Sequence, residues 1–277
     1  MTLTTPTEAG SSGRSLRSIT IVVPCFNEGP TIAPLSARLL PVIQDLRSRW
    51  KVHLLCIDDG STDDTLALLR KHFDHRPGIA ADIVRHSENR GLAETMRTAL
   101  SKARGDIVCA LDCNSTYDPK DVRGMVEQLQ SENADIVAAS PFHPRGGLPK
   151  VPVWKAACAR AISRFNARLL PGGLTCYTSM FRAYRREWFK TEFLRSSNFR
   201  NLAQILIGAI IAGAKVIEYP IVLKQETRRR PARRAPQASL DHLALVGSML
   251  LHGAPRRCDT EPGYIALQEK SKRRPST

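Results

Sequence analysis

The chain has 277 residues, 42% hydrophobic and 24% charged, enough apolar material for one large α/β domain and too much for global disorder. Lys and Arg number 41 against 26 Asp and Glu, a formal charge of +15. No apolar run reaches the roughly 18–20 residues that span a bilayer, and the seven scattered cysteines form no C-x-x-C pair, which argues against a zinc ribbon or a disulfide framework.

Residues 1–17 are rich in Thr, Ser and Gly, carry no hydrophobic stretch, and read as a disordered leader without a secretory signal. The run 18–24, SITIVVP, is β-branched and closed by a proline, as a buried strand is. Residues 30–49 carry a helical pattern that Pro41 is expected to kink or break. A strand follows at 52–58, then a helix at 61–73 for which Ser61 or Thr62 would supply the cap. The next pair is a strand at 81–86 and a helix at 92–103, with Gly105 as its C-cap. Strand 106–112, helix 118–130 and strand 134–140 complete the alternation. Five strands separated by helices predict a mostly parallel sheet flanked by helices, with ligands at the carboxyl ends of the strands. Cys25, Cys56 and Cys109 sit in or beside these runs as small core residues.

After Ser140 the rhythm changes. A Pro/Gly-rich loop (141–152) leads to a basic amphipathic helix at 153–170, a strand at 175–184, an apolar helix at 202–214 and a strand at 215–223. The block KQETRRRPARR and a last amphipathic helix at 238–251 follow, and 253–277 reads as a flexible tail. The expected organisation is therefore one domain over 18–252, with a first half (18–140), a second half (141–252) and a basic helical extension at its C-terminal end.

The charge is uneven. Residues 1–140 hold 16 basic and 18 acidic side chains, residues 141–200 hold 12 and 2, and residues 201–277 hold 13 and 6. A basic second half suits phosphorylated ligands or an anionic membrane surface. Only 6% of residues are aromatic and no recognition motif is present, so no specific nucleic-acid partner is expected.

Four polar stretches fall where strands end: PCFNE (24–28), IDDGSTD (57–63), HSENRGLAE (86–94) and LDCNSTYDP (111–119). A carboxylate with a second oxygen ligand two residues on, as in Asp112 and Asn114, can hold Mg²⁺ or Mn²⁺ against a diphosphate. Taken in order, these stretches resemble the nucleotide-sugar half of the family 2 glycosyltransferases, which have the GT-A fold. HPRGG, CYTSMFRAYRRE and VIEYPIVL further resemble the polyprenol-phosphate branch, similar to dolichol-phosphate mannose synthase and its bacterial relatives.

The resemblance implies an inverting transfer from a UDP- or GDP-linked sugar to a lipid phosphate or another acceptor, by a cytoplasmic protein peripheral to the inner face of the membrane. It places Pro24, Phe26 and Glu28 along the nucleoside pocket and Ile57 and Asp59 against base and ribose. Asp112, Cys113 and Asn114 match the metal-binding DxD tripeptide, with Asp112 and Asn114 as metal ligands and Thr116 on the diphosphate side. Asp112, Arg145 and Arg182 are the expected catalytic residues, and Arg185 and Arg186 join Arg182 as candidates for holding acceptor phosphate.

Four positions depart from the branch pattern. Asn114 stands for the second acid of DxD. Ala139-Ser140-Pro141 replaces a Gly-Ser/Thr-Arg ending, with Arg145 as the substitute cation. Gln204 stands where a Glu is expected, and TRRRPARR replaces a Gly-x-Ser-Lys loop, leaving Arg228 and Arg233 near the basic donor-binding positions. The alternatives are the same donor chemistry on a soluble acceptor, or a catalytically degenerate nucleotide-sugar binder.

Overall fold

A computed structural model describes residues 17–114, 116–147, 173–190 and 201–223, together with the single positions 157, 160, 161, 164 and 168. Seven strands form one sheet. They are β1 (Ser18–Cys25), β2 (Lys51–Asp58), β3 (Ala80–Arg85), β4 (Ile107–Ala110), β5 (Ile136–Ser140), β6 (Arg182–Arg185) and β7 (Val216–Pro220). The helices are α1 (Gly29–Leu46), α2 (Thr65–Phe73), α3 (Leu92–Lys102), α4 (Asp121–Ser131) and α5 (Asn201–Ile211). Strand order is β3-β2-β1-β4-β6-β5-β7. All neighbours are parallel except β6, which runs antiparallel between β4 and β5.

The chain winds outward from β1 to β3 and then returns to lay β4 on the other side of β1. That reversal opens a crevice beyond the carboxyl ends of β1 and β4, the usual ligand position in such sheets. Register aligns the two strand ends: Val22 pairs with Ala110, and the amide of Leu111 donates to the carbonyl of Val22 at 2.9 Å.

Alternate strand residues feed two cores, as the two-residue period requires. Ile19, Ile21, Val23, Leu54, Cys56 and Cys109 pack under α1, α2 and α4. Val22, Leu55, Ile57, Val108 and Ala110 pack under α3 and α5.

Three local expectations are corrected. Helix α1 runs unbroken through Pro34 and Pro41. Each interior proline costs about 3 kcal/mol, but the helix buries Ile32, Leu35, Leu39, Ile43 and Leu46 at helical spacing, each worth about 1.5–3 kcal/mol. Gly105 is not a helix cap: α3 already ends at Ala103 in an extended conformation. Its smallness serves β1, since a Cβ there would lie 2.5 Å from the Thr20 nitrogen and 2.7 Å from the Ile19 carbonyl carbon. The strand predicted at 175–184 is reduced to β6, because the backbone before it is bonded by side chains. Thr175 and Cys176 amides donate to Glu218, and the Tyr177 carbonyl accepts from Arg182.

The helix predicted at 153–170 is seen at its five described positions, all helical. Residues 1–16 of the leader, the 238–251 helix and the tail lie outside the described residues.

Candidate active site

The loops after β1, β2 and β3 are stitched together by hydrogen bonds. Asn27, held at φ +53°, donates its amide to Ser61 Oγ at 2.9 Å, and its Oδ1 accepts from the Thr62 amide at 2.9 Å. The Glu28 amide donates to Thr65 Oγ1 at 2.8 Å and the Gly29 amide to Asp63 Oδ2 at 3.1 Å. These bonds commit Ser61 and Thr62 to the neighbouring loop. Helix α2 therefore starts only at Thr65, whose amide donates to Asp63 Oδ1 at 3.0 Å, and the expected cap is corrected.

The adjacent carboxylates Asp58 and Asp59 are both buried but differ in surroundings. Asp58 Oδ1 accepts from the Ser61 amide at 3.1 Å. Its Oδ2 accepts no hydrogen bond among the described residues and has Arg85 Nε at 3.7 Å. Asp59 receives three donors: His86 Nδ1 at 2.7 Å, the Arg90 amide at 3.0 Å and the Gly91 amide at 2.8 Å. Its carboxylate organises the 86–91 loop. The Ile57 side chain is fully buried in the core under α3 and has no surface to offer a nucleoside, which corrects that expectation. On the β1 side, Pro24 is half-buried, Glu28 is buried with its Oε2 accepting from Thr31 Oγ1 at 3.3 Å, and Phe26 stands 41% exposed.

Across the crevice, Asp112 is half-buried directly beyond β4. Cys113 turns inward instead of toward ligand: it is 2% exposed, its Sγ lies 3.5 Å from Thr31 Oγ1, and it hydrogen-bonds Cys25. That bond and burial together raise the Cys25 pKa. Asn114 Oδ1 accepts from the Thr116 amide at 3.0 Å and from Thr116 Oγ1 at 2.6 Å, a local turn that fixes both side chains. Tyr117 ties this loop to the β6 approach through Ser179 Oγ at 3.2 Å and the Phe181 ring at 5.4 Å. Burial raises its phenol pKa.

On the second-half side, Glu218 of β7 accepts from the Thr175 amide, Thr175 Oγ1 and the Cys176 amide, each at 2.8 Å. Thr175 Oγ1 then accepts from Ser140 Oγ at 2.6 Å, and Ser140 Oγ accepts the Phe142 and His143 amides at 3.2 Å. The turn it anchors carries Arg145, exposed, with its amide 3.1 Å from His143 Nδ1.

The arginines of the 182–186 segment separate. β6 is antiparallel, so Arg182 lies opposite Ala110 at the crevice end and Arg185 opposite Ile107 at the other end. Arg185 binds the Ala134 carbonyl and Asn133 Oδ1 there, and Arg186 follows it, so neither reaches the crevice. The Arg182 guanidinium is fully buried, donating to the Tyr177 carbonyl at 2.6 Å and to Tyr184 Oη at 3.3 Å. In this conformation it braces the crevice wall and presents no exposed atom to an acceptor. Arg228 and Arg233 lie outside the described residues. The sequence reading gave no role to His86, although it opens one of the four polar stretches, or to Glu218 within VIEYPIVL, and it took Ser140 only as part of a departure from the branch pattern.

The sequence model described as Glycosyl transferase family 2 matches residues 20–193. The chain belongs to glycosyl transferase family 2. It is 34% identical over 140 residues to a dodecaprenyl-phosphate galacturonate synthase of Rhizobium johnstonii, covering 50% of this chain and 40% of that protein. It is 26% identical over 168 residues to an undecaprenyl-phosphate 4-deoxy-4-formamido-L-arabinose transferase of Sodalis glossinidius, covering 61% of this chain and 49% of that protein. The chain thus matches about half or less of the length of these relatives. In fold it is similar to glucosyl-3-phosphoglycerate synthase from Mycobacterium tuberculosis, crystallised with Mn²⁺, UDP and glucosyl-3-phosphoglycerate. The TM-score is 0.63 at 20% identity, over 87% of this chain and 82% of that one. A mannosyltransferase from Pyrobaculum calidifontis, crystallised with GDP-mannose and Mn²⁺, gives a TM-score of 0.63 at 20% identity over 89% and 66% of the two chains. The mostly parallel sheet flanked by helices is the GT-A arrangement of these structural neighbours.

Among the described residues, no three His, Cys, Asp or Glu side chains gather to hold a metal alone. The donor set at the family 2 tripeptide is one carboxylate, Asp112, and one amide oxygen, Asn114. Both are hard oxygen ligands suited to Mg²⁺ or Mn²⁺, and such ions commonly take their remaining ligands from substrate phosphates and water.

Proposed function

We propose that the chain transfers a sugar, with inversion, from a UDP- or GDP-linked donor to a phosphate-bearing acceptor, a polyprenyl phosphate at the cytoplasmic face of a membrane. The observation that carries this reading is the sheet topology, which sets the partly exposed Asp112 beyond β4, and Phe26 and the stitched loops of Asp58 and Asp59 beyond β1 and β2, at one edge of the sheet. The relatives' names support the acceptor class.

In this reading the nucleoside lies along Pro24, Phe26 and Glu28. Asp59 shapes the wall, while Asp58, fully buried, ties the β2 loop to the Ser61 amide from inside. Asp112 and Asn114 would hold Mg²⁺ or Mn²⁺, Asn114 giving up one of the two hydrogen bonds its Oδ1 accepts from Thr116. The bound metal would supply charge stabilisation for the leaving diphosphate. The acceptor phosphate enters beside the 140–147 turn, where Arg145 is the exposed cation. A phosphate monoester is largely ionised near neutral pH, with its second pKa near about 6. Its oxygen attacks the anomeric carbon, the bond from that carbon to the diphosphate breaks, and no strong general base is required. Gln204 on α5, where the resemblance expects a Glu, departs from the branch pattern and cannot act as a base. Arg160, Arg164 and Arg168 are exposed at helical spacing and suit peripheral contact with an anionic membrane.

Calorimetric titration with UDP- and GDP-sugars, each with Mn²⁺ and with EDTA, tests the donor half. Metal-dependent binding of one nucleotide, followed by transfer to polyprenyl phosphate, supports the proposal. Transfer only to a soluble acceptor refutes the lipid assignment, and binding of neither nucleotide refutes the donor site.

A further inference from the structure

The 86–91 loop is an unusual element of the crevice wall. Ser87, Glu88, Asn89 and Arg90 are all exposed, so no apolar packing holds them. The loop stays in place through polar contacts that converge on one buried side chain, His86, which is 6% exposed.

His86 bonds at both ring nitrogens. Nδ1 lies 2.7 Å from Asp59 Oδ1 and Nε2 lies 2.8 Å from Thr98 Oγ1 on α3. A carboxylate opposite Nδ1 keeps the proton there, and in the neutral ring Nε2 then accepts from the threonine hydroxyl. Asp59 in turn receives the Arg90 and Gly91 amides. Gly91 is the N-cap of α3, at φ 84° and ψ 164°, a conformation only glycine adopts readily. The contacts form a closed ring from Thr98 through His86 and Asp59 to Gly91, then back along α3. Gly60 completes the fit, passing so close beneath Glu88 that a Cβ would meet its backbone at 2.3 Å.

We propose that His86 is a positioning residue of the donor pocket. It holds the Asp59 carboxylate where it can fix the Arg90 and Gly91 backbone, and so sets the wall against which the nucleoside binds. The inference rests on the reading of this crevice as a nucleotide-sugar site, but its structural half is testable without any nucleotide. The orientation of the ring divides the roles. The Nδ1 contact is the one that matters for the wall, and the Nε2 contact only orients the imidazole.

The test compares His86→Leu, His86→Asn and His86→Gln. An Asn amide sits near the position of Nδ1 and a Gln amide near that of Nε2, so Asn should restore the bond to Asp59 and Gln should not. Two readouts are taken: amide hydrogen exchange of Arg90 and Gly91 by NMR, and the affinity for the nucleotide that the unmodified chain binds with Mn²⁺. His86→Leu should lose exchange protection at those two amides and bind donor about tenfold more weakly. The loss should fall mainly on the donor KM and less on kcat. His86→Asn should recover both within about threefold, and His86→Gln should resemble His86→Leu. If His86→Leu does not fold, Thr98→Val removes only the far end of the ring and should shift both readouts in the same direction, by less.

Equal behaviour of the Asn and Gln variants, or a Leu variant with wild-type protection and affinity, overturns the inference. If the unmodified chain binds neither UDP- nor GDP-sugar, the donor reading falls. The exchange data then still decide whether His86 fixes the loop.

Discussion

Replacing Gly60 by alanine probes the joint between the β2 and β3 loops. Two penalties add. At φ +68° an alanine is left-handed, which costs about 1–2 kcal/mol. The new Cβ would also lie 2.3, 2.6 and 2.6 Å from the carbonyl carbon, Cα and oxygen of Glu88. Carbon atoms pack best near about 3.5–4.0 Å, so the 86–91 loop must retreat by more than about 1 Å. Overpacking of this kind costs about 1–3 kcal/mol, and the retreat weakens the Arg90 and Gly91 bonds to Asp59. The sum is about 2–5 kcal/mol, or a Tm lower by roughly 6–15 °C. Gly173 supplies the control. It is also left-handed, at φ +59°, but no described atom lies within 4 Å of its notional Cβ. Gly173→Ala should therefore cost only the left-handed penalty, about 1–2 kcal/mol, without the collision term. Calorimetric melting of both variants separates strain from collision. Equal shifts in the two would refute the close approach of the loops, and with it the rigid wall on which the donor pocket depends.

Other measurements bear on the remaining parts of the site. Asp112→Ala should lower turnover at least about 100-fold and abolish the Mn²⁺ dependence of donor binding, as read by calorimetry with and without EDTA. Unchanged turnover would remove the proposed metal position. Glu218→Ala leaves the Thr175 and Cys176 amides without their acceptor and should destabilise the fold by about 2–3 kcal/mol in urea titration. Glu218→Gln can still accept from both amides and should cost under about 1 kcal/mol. The buried thiols set an alkaline limit. Burial pushes Cys109 from its ordinary value of 9.0 up to about 12, and Cys56 and Cys176 are raised chiefly by burial as well. Below pH 9.0 folded and unfolded thiols are both protonated. Between pH 9.0 and about 12 the unfolded chain loses protons that the folded chain keeps, so stability falls as pH rises. Each such thiol contributes a slope of about 1.4 kcal/mol per pH unit there. Cys109→Ala should make the pH dependence of the urea midpoint shallower by one such contribution.

The first half of the fold was largely legible because its signals are local. Strand β1 was expected at 18–24 and runs Ser18–Cys25; β2 was expected at 52–58 and runs Lys51–Asp58. A short β-branched run between polar turns has few other ways to bury itself. The polar stretches at the strand ends marked the crevice for the same reason, since a parallel sheet brings consecutive loops to one edge. Failures arose where a residue's role depends on a partner far away in sequence. Pro41 sits inside a helix because α1 buries a full stripe, and Gly105 is small because Ile19 and Thr20 pass against it.

The basic second half shows most clearly why charge counting stops short of a site. Net charge over 141–200 suggested one anion-binding surface, but charge is a property of the segment and position is a property of the topology. An antiparallel strand inserted between parallel ones sends its two ends to opposite edges of the sheet. Arg182 and Arg185, three residues apart, therefore face different tasks. The first is buried against the Tyr177 carbonyl at the crevice end, and the second closes the backbone of Ala134 at the far end. Arg145 is exposed instead, on a turn held by Ser140, Thr175 and Glu218. A cation available to an acceptor phosphate must have both charge and a free approach. Among the described residues beside the crevice on the second-half side, Arg145 meets that condition and Arg182 does not. In the proposed reading, Arg145 on the turn after β5 would then be the cation that stands in for the arginine the branch pattern places at the end of that strand.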